Sequence, residues 1–330
     1  MQVAFHAARG ISVYRSLLGA IARPGVRSRL ESAWADRDFH APYERPLLFC
    51  AAFRQKTLLE PAHPLARFIG ERADGTGDVD SALVEEALHD DALIATLRDR
   101  FVQTNEVSRS ASWRLALSTW PREPSARVHL VDLGCSAGLN LIGDRLSTVR
   151  LVDEAGNPVA FDTRATIVSR TGLDRAPIDV RDAVSASWLR ACIWPGQRDR
   201  LENLDEAIAQ TRAASIETRT CRAEDMPAVL ARLTAENPDD FVLAYSTVVF
   251  EYLLPDEKAA LLSGMHAWLG RSPARTLWVE LEASRTEVTP QLPTEIRATR
   301  ASSDTPGTVA TVRLARCDYH PRTLADIVRL

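Results

Sequence analysis

Lysine is almost missing from this 330-residue chain: only Lys56 and Lys258 occur, and every other basic residue is arginine. The arginines form no dense run, and the formal charge is −4, so the positive stripe that a nucleic-acid partner needs is lacking. No apolar stretch reaches 18 residues, and Arg9 and Arg15 interrupt the apolar N-terminus, so neither a spanning helix nor a signal peptide is expected, and no membrane partner. The five cysteines, Cys50, Cys135, Cys192, Cys221 and Cys317, are odd in number and never spaced C-x-x-C. A disulfide framework and a zinc ribbon are therefore not indicated, and a reducing cytoplasm suits the chain. The seven histidines lack H-x-x-x-H or H-E-x-x-H spacing, so no metal is expected, and neither a G-x-S-x-G elbow nor a Walker loop occurs.

What is present is enough apolar sequence, 45% of residues, for a large domain carrying a smaller one. Phe5, Ile11, Tyr14, Leu17, Leu18 and Ile21 recur at helical spacing before Arg23-Pro24-Gly25, and similar patterns follow at 45–58, 64–71 and from Ser81 to Ser118, with Asp80 as an N-cap. Residues 1–119 thus read as an all-helical cover or lid domain. After the breaker-rich connector Trp120–Ser125 the period changes to short apolar runs alternating with helical stretches, the pattern of an α/β sheet. Strands are expected at 127–133, 164–170, 215–221, 241–246 and 276–282, with helices near 138–147, 198–213, 225–235 and 256–269. A hairpin is expected at about 149–162, and a closing antiparallel hairpin from 293–300 and 308–316. Residues 120–330 form this second domain.

The chemistry should gather at the carboxyl ends of the strands, where doubly wound sheets take their ligands. The strand 127–133 runs into Gly134-Cys135-Ser136-Ala137-Gly138, small residues that let a ligand approach backbone and helix N-terminus. Ser136 stands where a dinucleotide fingerprint has its second glycine, which weakens a nicotinamide or flavin reading. Asp174, after the second strand, can accept from both ribose hydroxyls, or it is a turn or cap residue. After the third strand, Glu224 or Asp225 can read an adenine amino group, or open a helix as N-cap acids. At the fourth strand Tyr245, Ser246, Glu251 and Tyr252 face the substrate side, with packing as the alternative for the aromatics; a tyrosine face would also attract a sulfonium. Gln103-Thr104-Asn105-Glu106 and Arg109 could form a lid or simply cap a helix. Trp188, Trp194 and Pro195 wall a pocket or pack the helices.

Three of these pieces, in order at successive strand ends, resemble class I S-adenosylmethionine-dependent methyltransferases. The resemblance implies a mostly parallel Rossmann sheet with an antiparallel last strand. It assigns Asp132, Gly134, Ser136 and Gly138 to the cofactor's methionine end, Asp174 to its ribose, and Glu224 or Asp225 to its adenine; Ala137, Asn140 and Ser246 are further cofactor-binding candidates. Across nearly the whole chain there is a further resemblance, to the bacterial family called domain of unknown function 2332. It rests on Pro46-Leu47-Leu48, His63–Ala66, Gln103–Arg109, Gly134–Asn140, Asp144-Arg145, Gly172–Val180 and Trp188–Pro195. Leu146 departs from an aromatic usual after the Asp-Arg pair, and His320-Pro321-Arg322 lacks a second histidine.

These resemblances imply an S-adenosylmethionine-dependent enzyme, with methyl transfer to a small-molecule acceptor as the first expectation. A cyclase that releases methylthioadenosine, of the azetidine-forming type, is the second. A non-catalytic Rossmann scaffold is the third. The sulfonium is already activated, so the protein chiefly aligns the nucleophile and excludes water. Asn105, Glu106, Tyr245, Glu251 and Tyr252 are the catalytic candidates, and Glu106, Glu251, Tyr252 and His320 could serve as the base.

Overall fold

The computed structural model describes residues 11–39, 43–103, 106–121, 123, 125–163, 165–285, 289–302, 305 and 307–328. The chain divides into two compact units, residues 1–104 with 179–202, and residues 105–178 with 203–330. The division differs from the sequence-based boundary at 119/120 in two ways. The turn at 107–110 and helix α7 (Ala111–Leu117) belong with the sheet, because Trp113 is buried in its core and its indole donates to the Asn140 carbonyl at 2.9 Å. The first unit also takes a second, later piece of chain.

That first unit is helical: α1 (Ser12–Gly19), α2 (Pro24–Ala33), α3 (Glu44–Leu59), α4 (Ala66–Ile69), α5 (Ser81–Ala87), α6 (Asp91–Asp99) and, from the later piece, α8 (Ala183–Ala191). Proline at the first turn starts α2, and the Asp80 and Asp90 carboxylates cap α5 and α6 by accepting from Ala82 and Ala92 N–H. Helix α3 has apolar residues on most sides and is correspondingly buried. Its Gln55 amide donates to the Val184 carbonyl and Ser187 hydroxyl, both at 3.0 Å, and the Trp188 indole donates to the Phe101 carbonyl, so α8 is an integral part of this unit. Trp194 meets Tyr14 edge-on within this unit.

The second unit holds a seven-stranded sheet. Its strands are β1 (Arg127–Leu133), β3 (Thr166–Asp174), β4 (Glu217–Thr220), β5 (Phe241–Thr247), β6 (Thr276–Ala283), β7 (Thr294–Ala301) and β8 (Val309–Cys317), in spatial order β4-β3-β1-β5-β6-β7-β8. A two-residue β2 (Val152–Asp153) pairs separately with β9 (Thr323–Leu324). β1, β3, β4, β5 and β6 run parallel, and β7 is antiparallel to both neighbours. The expected antiparallel last strand is thus corrected: the reversed strand is the next to last. The short turn after β7 can join only antiparallel strands, so β8 is reversed a second time and regains the common direction. Strand order doubles back between β1 and β5, which puts a crevice at their carboxyl ends.

β5 is buried at every position because both sheet faces are covered. On one face Leu130, Leu243, Tyr245, Val279 and Ile296 pack with α7. On the other, Val131, Leu133, Val242, Ala244 and Trp278 meet residues of α10 (Met226–Glu236) and α11 (Pro255–Arg271). Helix α9 (Arg198–Ala213) precedes β4, whose residues are all exposed and whose Glu217 and Arg219 pair along the edge, a placement of charge that discourages strand addition. The helix expected at 138–147 is a short 3-10 segment, Leu139–Arg145, clamped to β3 by a two-pronged Arg170–Asp144 ion pair. The hairpin expected at 149–162 reduces to a turn at Asp153–Asn157 with one bridge, Val152 to Pro158, because β2 spends its pairing on β9. Among the described residues no helix is long and apolar enough to cross a membrane.

Candidate functional site

β1 ends in a loop whose geometry only small residues permit. Gly134, Ser136 and Gly138 all have positive φ, at +80°, +52° and +71°. A Cβ on Gly134 would lie 2.6 Å from Val249 Cγ2, and one on Gly172, within β3, would lie 2.5 Å from Cys135 Sγ. The loop is tied to its neighbour strand by Gly134 and Cys135 N–H, which both donate to the Leu173 carbonyl, and by Ile178 N–H, which donates to the Ser136 carbonyl. Ala137 is buried within it, and Gly138 caps the following 3-10 turn.

Asp174 is the last residue of β3, which runs four residues further than the sequence pattern indicates. One carboxylate oxygen accepts from Ser136 N–H at 2.7 Å and the other from Ala176 N–H at 2.8 Å. The side chain therefore braces the glycine loop, the turn-residue reading, and each oxygen retains a second lone pair. Asp132 is buried beneath the loop and accepts from the Tyr245 hydroxyl at 2.9 Å. Tyr245 is itself fully buried beside Trp113, so it lies in the core below the edge and presents no face to a reacting group.

After β4, Glu224 accepts from Arg222 Nε at 2.5 Å, and Asp225 stands at the start of α10 without making a side-chain cap. Its own backbone N–H, followed by Arg222, holds the Glu224 carboxyl below its ordinary range. At the end of β5, Ser246 is fully buried. Beyond it Val248 sits at φ +56°, an uncommon conformation for a β-branched residue and of a kind that clusters at functional sites. Glu251 is exposed and accepts from the Tyr319 hydroxyl at 2.7 Å; Tyr252 is half-buried against the α7-side core. Glu106 is buried and caps the 107–110 turn, accepting from the Ser108 hydroxyl at 2.8 Å, while Arg109 donates to the Tyr319 carbonyl. Glu106 and Arg109 are thus built into the sheet unit, Gln103 falls in the helical unit, and Thr104 lies outside the described residues. His320 is half-buried nearby in sequence, and Asn105 lies outside the described residues.

Three of the residues picked out for the cofactor carry a buried polar atom that has no hydrogen-bond partner among the described residues: Asn140 Oδ1, Glu224 Oε2 and Ser246 Oγ. They follow or end β1, β4 and β5 at the carboxyl edge of the sheet; β1 and β5 flank the reversal of strand order, and β4 is the outermost strand. Buried polar groups are normally paired, so three orphans at one sheet edge mark where partners are wanted. Among the described residues no group of three or more His, Cys, Asp or Glu is placed to hold a metal ion.

Two residues that carry the site's electrostatics escaped the sequence reading. Glu282, near the end of β6, is buried and accepts from the Val249 and Phe250 N–H groups, which fixes the strained 248–250 turn above Gly134. Glu280 lies two residues before it, on the same sheet face and in register with Ser246. Two acids at i and i+2 in an otherwise apolar strand were the available signal. Burial pushes the carboxyls of Asp132 and Glu282 up to about 8 each, against the pull of the Tyr245 hydroxyl and the Val249 amide respectively. Both therefore bind protons more tightly in the folded chain than in the unfolded one. Stability should fall as pH rises from the ordinary carboxylate range through about 8. Asp132→Asn and Glu282→Gln are each expected to flatten the decline in urea midpoint across that window, and a slope unchanged in both variants would contradict the assignment.

The fold is a doubly wound α/β sheet whose strand order reverses between β1 and β5. Residues 1–325 match the family described as an uncharacterized protein conserved in bacteria, domain of unknown function 2332, and the chain belongs to that family. Comparison with curated proteins found no match.

Proposed function

We propose that this chain is an S-adenosylmethionine-dependent enzyme that transfers a methyl group to a small-molecule acceptor. The observation that carries the reading is the set of three orphaned buried polar atoms at the carboxyl edge of the sheet, on Asn140 and Ser246 beside the strand-order reversal and its glycine loop and on Glu224 after the outermost strand β4. A nucleoside-bearing ligand offers hydroxyls, an amino group and an ammonium to such atoms. In this reading Gly134–Gly138 take the methionine end, Glu224 with Asp225 the adenine, and Asp174 the ribose through the lone pairs its loop contacts leave open. When bound, the ligand supplies an electrophilic methyl group that needs no further activation. The chain's own task is to orient the acceptor and keep water out. Glu251, held by Tyr319, is the exposed carboxylate at this edge that can take a proton from the acceptor.

Calorimetric titration with S-adenosylmethionine, with NAD as control, tests the reading. Micromolar binding is expected, weakened about tenfold by Glu224→Gln or Asn140→Ala, the loss of one hydrogen bond to a charged or polar ligand group. No heat at millimolar ligand would sink it and favour the scaffold alternative. With binding established, S-adenosylhomocysteine formed only with acceptor marks methyl transfer, and methylthioadenosine formed without one marks the cyclase.

A further inference from the structure

A cavity of about 420 Å³ lies on the α11 face of the sheet, lined by residues of β6, β7, β8, α11 and the 250–251 turn. Its size falls in the range of small-molecule sites. Two of its buried side chains carry donors that nothing among the described residues accepts: the Trp278 indole N–H and the Arg297 Nε–H. Both side chains are more than nine-tenths buried, at 1% and 4% exposed. The remainder of the Arg297 guanidinium is committed, to Glu295 at 2.7 Å and Glu280 at 3.4 Å. Arg285 also reaches Glu280, at 3.2 Å. Glu280 is thus already matched, whereas Lys258 meets the Phe250 ring face at 4.9 Å and, among the described residues, no carboxylate is paired with it. Burial keeps Glu282 largely protonated near neutrality, so it adds little negative charge. The lining thus sets three cations, Lys258, Arg285 and Arg297, against Glu280 and Glu251, of which Glu251 takes the Tyr319 hydroxyl and Glu280 the two arginines, and its unmet buried groups are both donors. Its shape is set by flat groups, since Phe250 and His266 both meet Trp278 edge-on, at 6.1 and 6.5 Å between centroids.

We infer that this cavity is a binding site for a small planar organic carboxylate. The carboxylate would accept from Trp278 Nε1 and Arg297 Nε beneath the charge of Lys258, and its ring would lie among Phe250, His266 and Trp278. The inference does not depend on the cofactor reading, because it concerns a separate set of orphan groups and is measured without S-adenosylmethionine.

The test uses the full chain and three probes of one shape and different charge: benzoate, benzamide and benzylamine, followed by ligand-observed NMR and by tryptophan fluorescence. Benzoate is expected to bind, benzamide more weakly, and benzylamine not at all. Trp278→Phe keeps the ring and removes the donor, and should weaken benzoate about tenfold. Lys258→Gln, at the partly exposed mouth, should weaken it several-fold and make the affinity less sensitive to salt. Should Trp278→Phe not fold, as judged by circular dichroism, Lys258→Gln decides alone. Absence of benzoate binding, equal binding of all three probes, or benzoate affinity unchanged in the folded variants would each overturn the inference.

Discussion

Gly134→Ala is expected to destabilise the protein by about 2–5 kcal/mol in urea unfolding. About 1–2 kcal/mol of this comes from placing an L side chain at φ +80°, and about 1–3 kcal/mol from overpacking. The new methyl would meet Val249 Cγ2 at 2.6 Å. Val249 cannot easily retreat, because its side chain is stiff and its N–H is held by Glu282 at 2.8 Å. A double-mutant cycle with Val249→Ala separates the two contributions. The coupling energy should recover the packing share and leave the backbone share in place. Full additivity, with no coupling, would mean that the loop relaxes away from the turn and that the contact is not a constraint.

The second large effect is expected at Asp174. Asp174→Ala removes the carboxylate that accepts from the Ser136 and Ala176 N–H groups, and each lost hydrogen bond to a charged, part-buried group costs about 1–2 kcal/mol. A combined loss of about 2–4 kcal/mol is expected, with faster hydrogen exchange at those two amides. Asp174→Asn should retain about half, since its carbonyl can still accept one bond while its NH₂ confronts the other donor. The result bears on cofactor binding too. Because the carboxylate shapes the glycine loop, any affinity lost in Asp174→Ala includes the loss of that shape. If Asp174 also touches ribose, Asp174→Asn should lose more affinity for S-adenosylmethionine than its amide protection alone accounts for. Unaltered exchange at Ser136 and Ala176 in the alanine variant would refute the bracing role.

Much of the sheet was legible because its strands are short apolar runs between helical periods. β1, β5, β6 and the β7–β8 hairpin fall within a residue or two of the expected spans. The misreading of β3 has a particular cause. Thr171-Gly172-Leu173 carries a glycine, ordinarily a turn signal, yet Gly172 is a strand residue whose missing Cβ admits Cys135 Sγ. The 139–145 segment looks like a helix in its apolar spacing, but the Arg170–Asp144 clamp and the αL cap at Gly138 hold it as a 3-10 turn. At the site, the glycine loop, Asp174, Glu224 and Ser246 were visible because they sit at strand ends, where position alone suggests a role. Tyr245 misled for the same reason: it is near the strand end but points into the α7-side core. Val248, and Tyr319 with its links to Arg109 and Glu251, depend on backbone conformation and long-range contact that no local pattern encodes.

The split construction of the helical unit has a consequence for the order in which the chain is made. Helix α3 is completed by α8, through Gln55 with Val184 and Ser187, and Phe101 is held by Trp188. A ribosome releases α1–α6, then β1 and β3, and only afterwards the segment 179–202 that finishes the first unit. The nascent N-terminal helices must therefore wait, with apolar surface uncovered, while two of the seven strands of the other unit's sheet emerge. In a chain of this kind the earliest-made part is among the last to reach its final state, and holding chaperones have a defined interval in which to act.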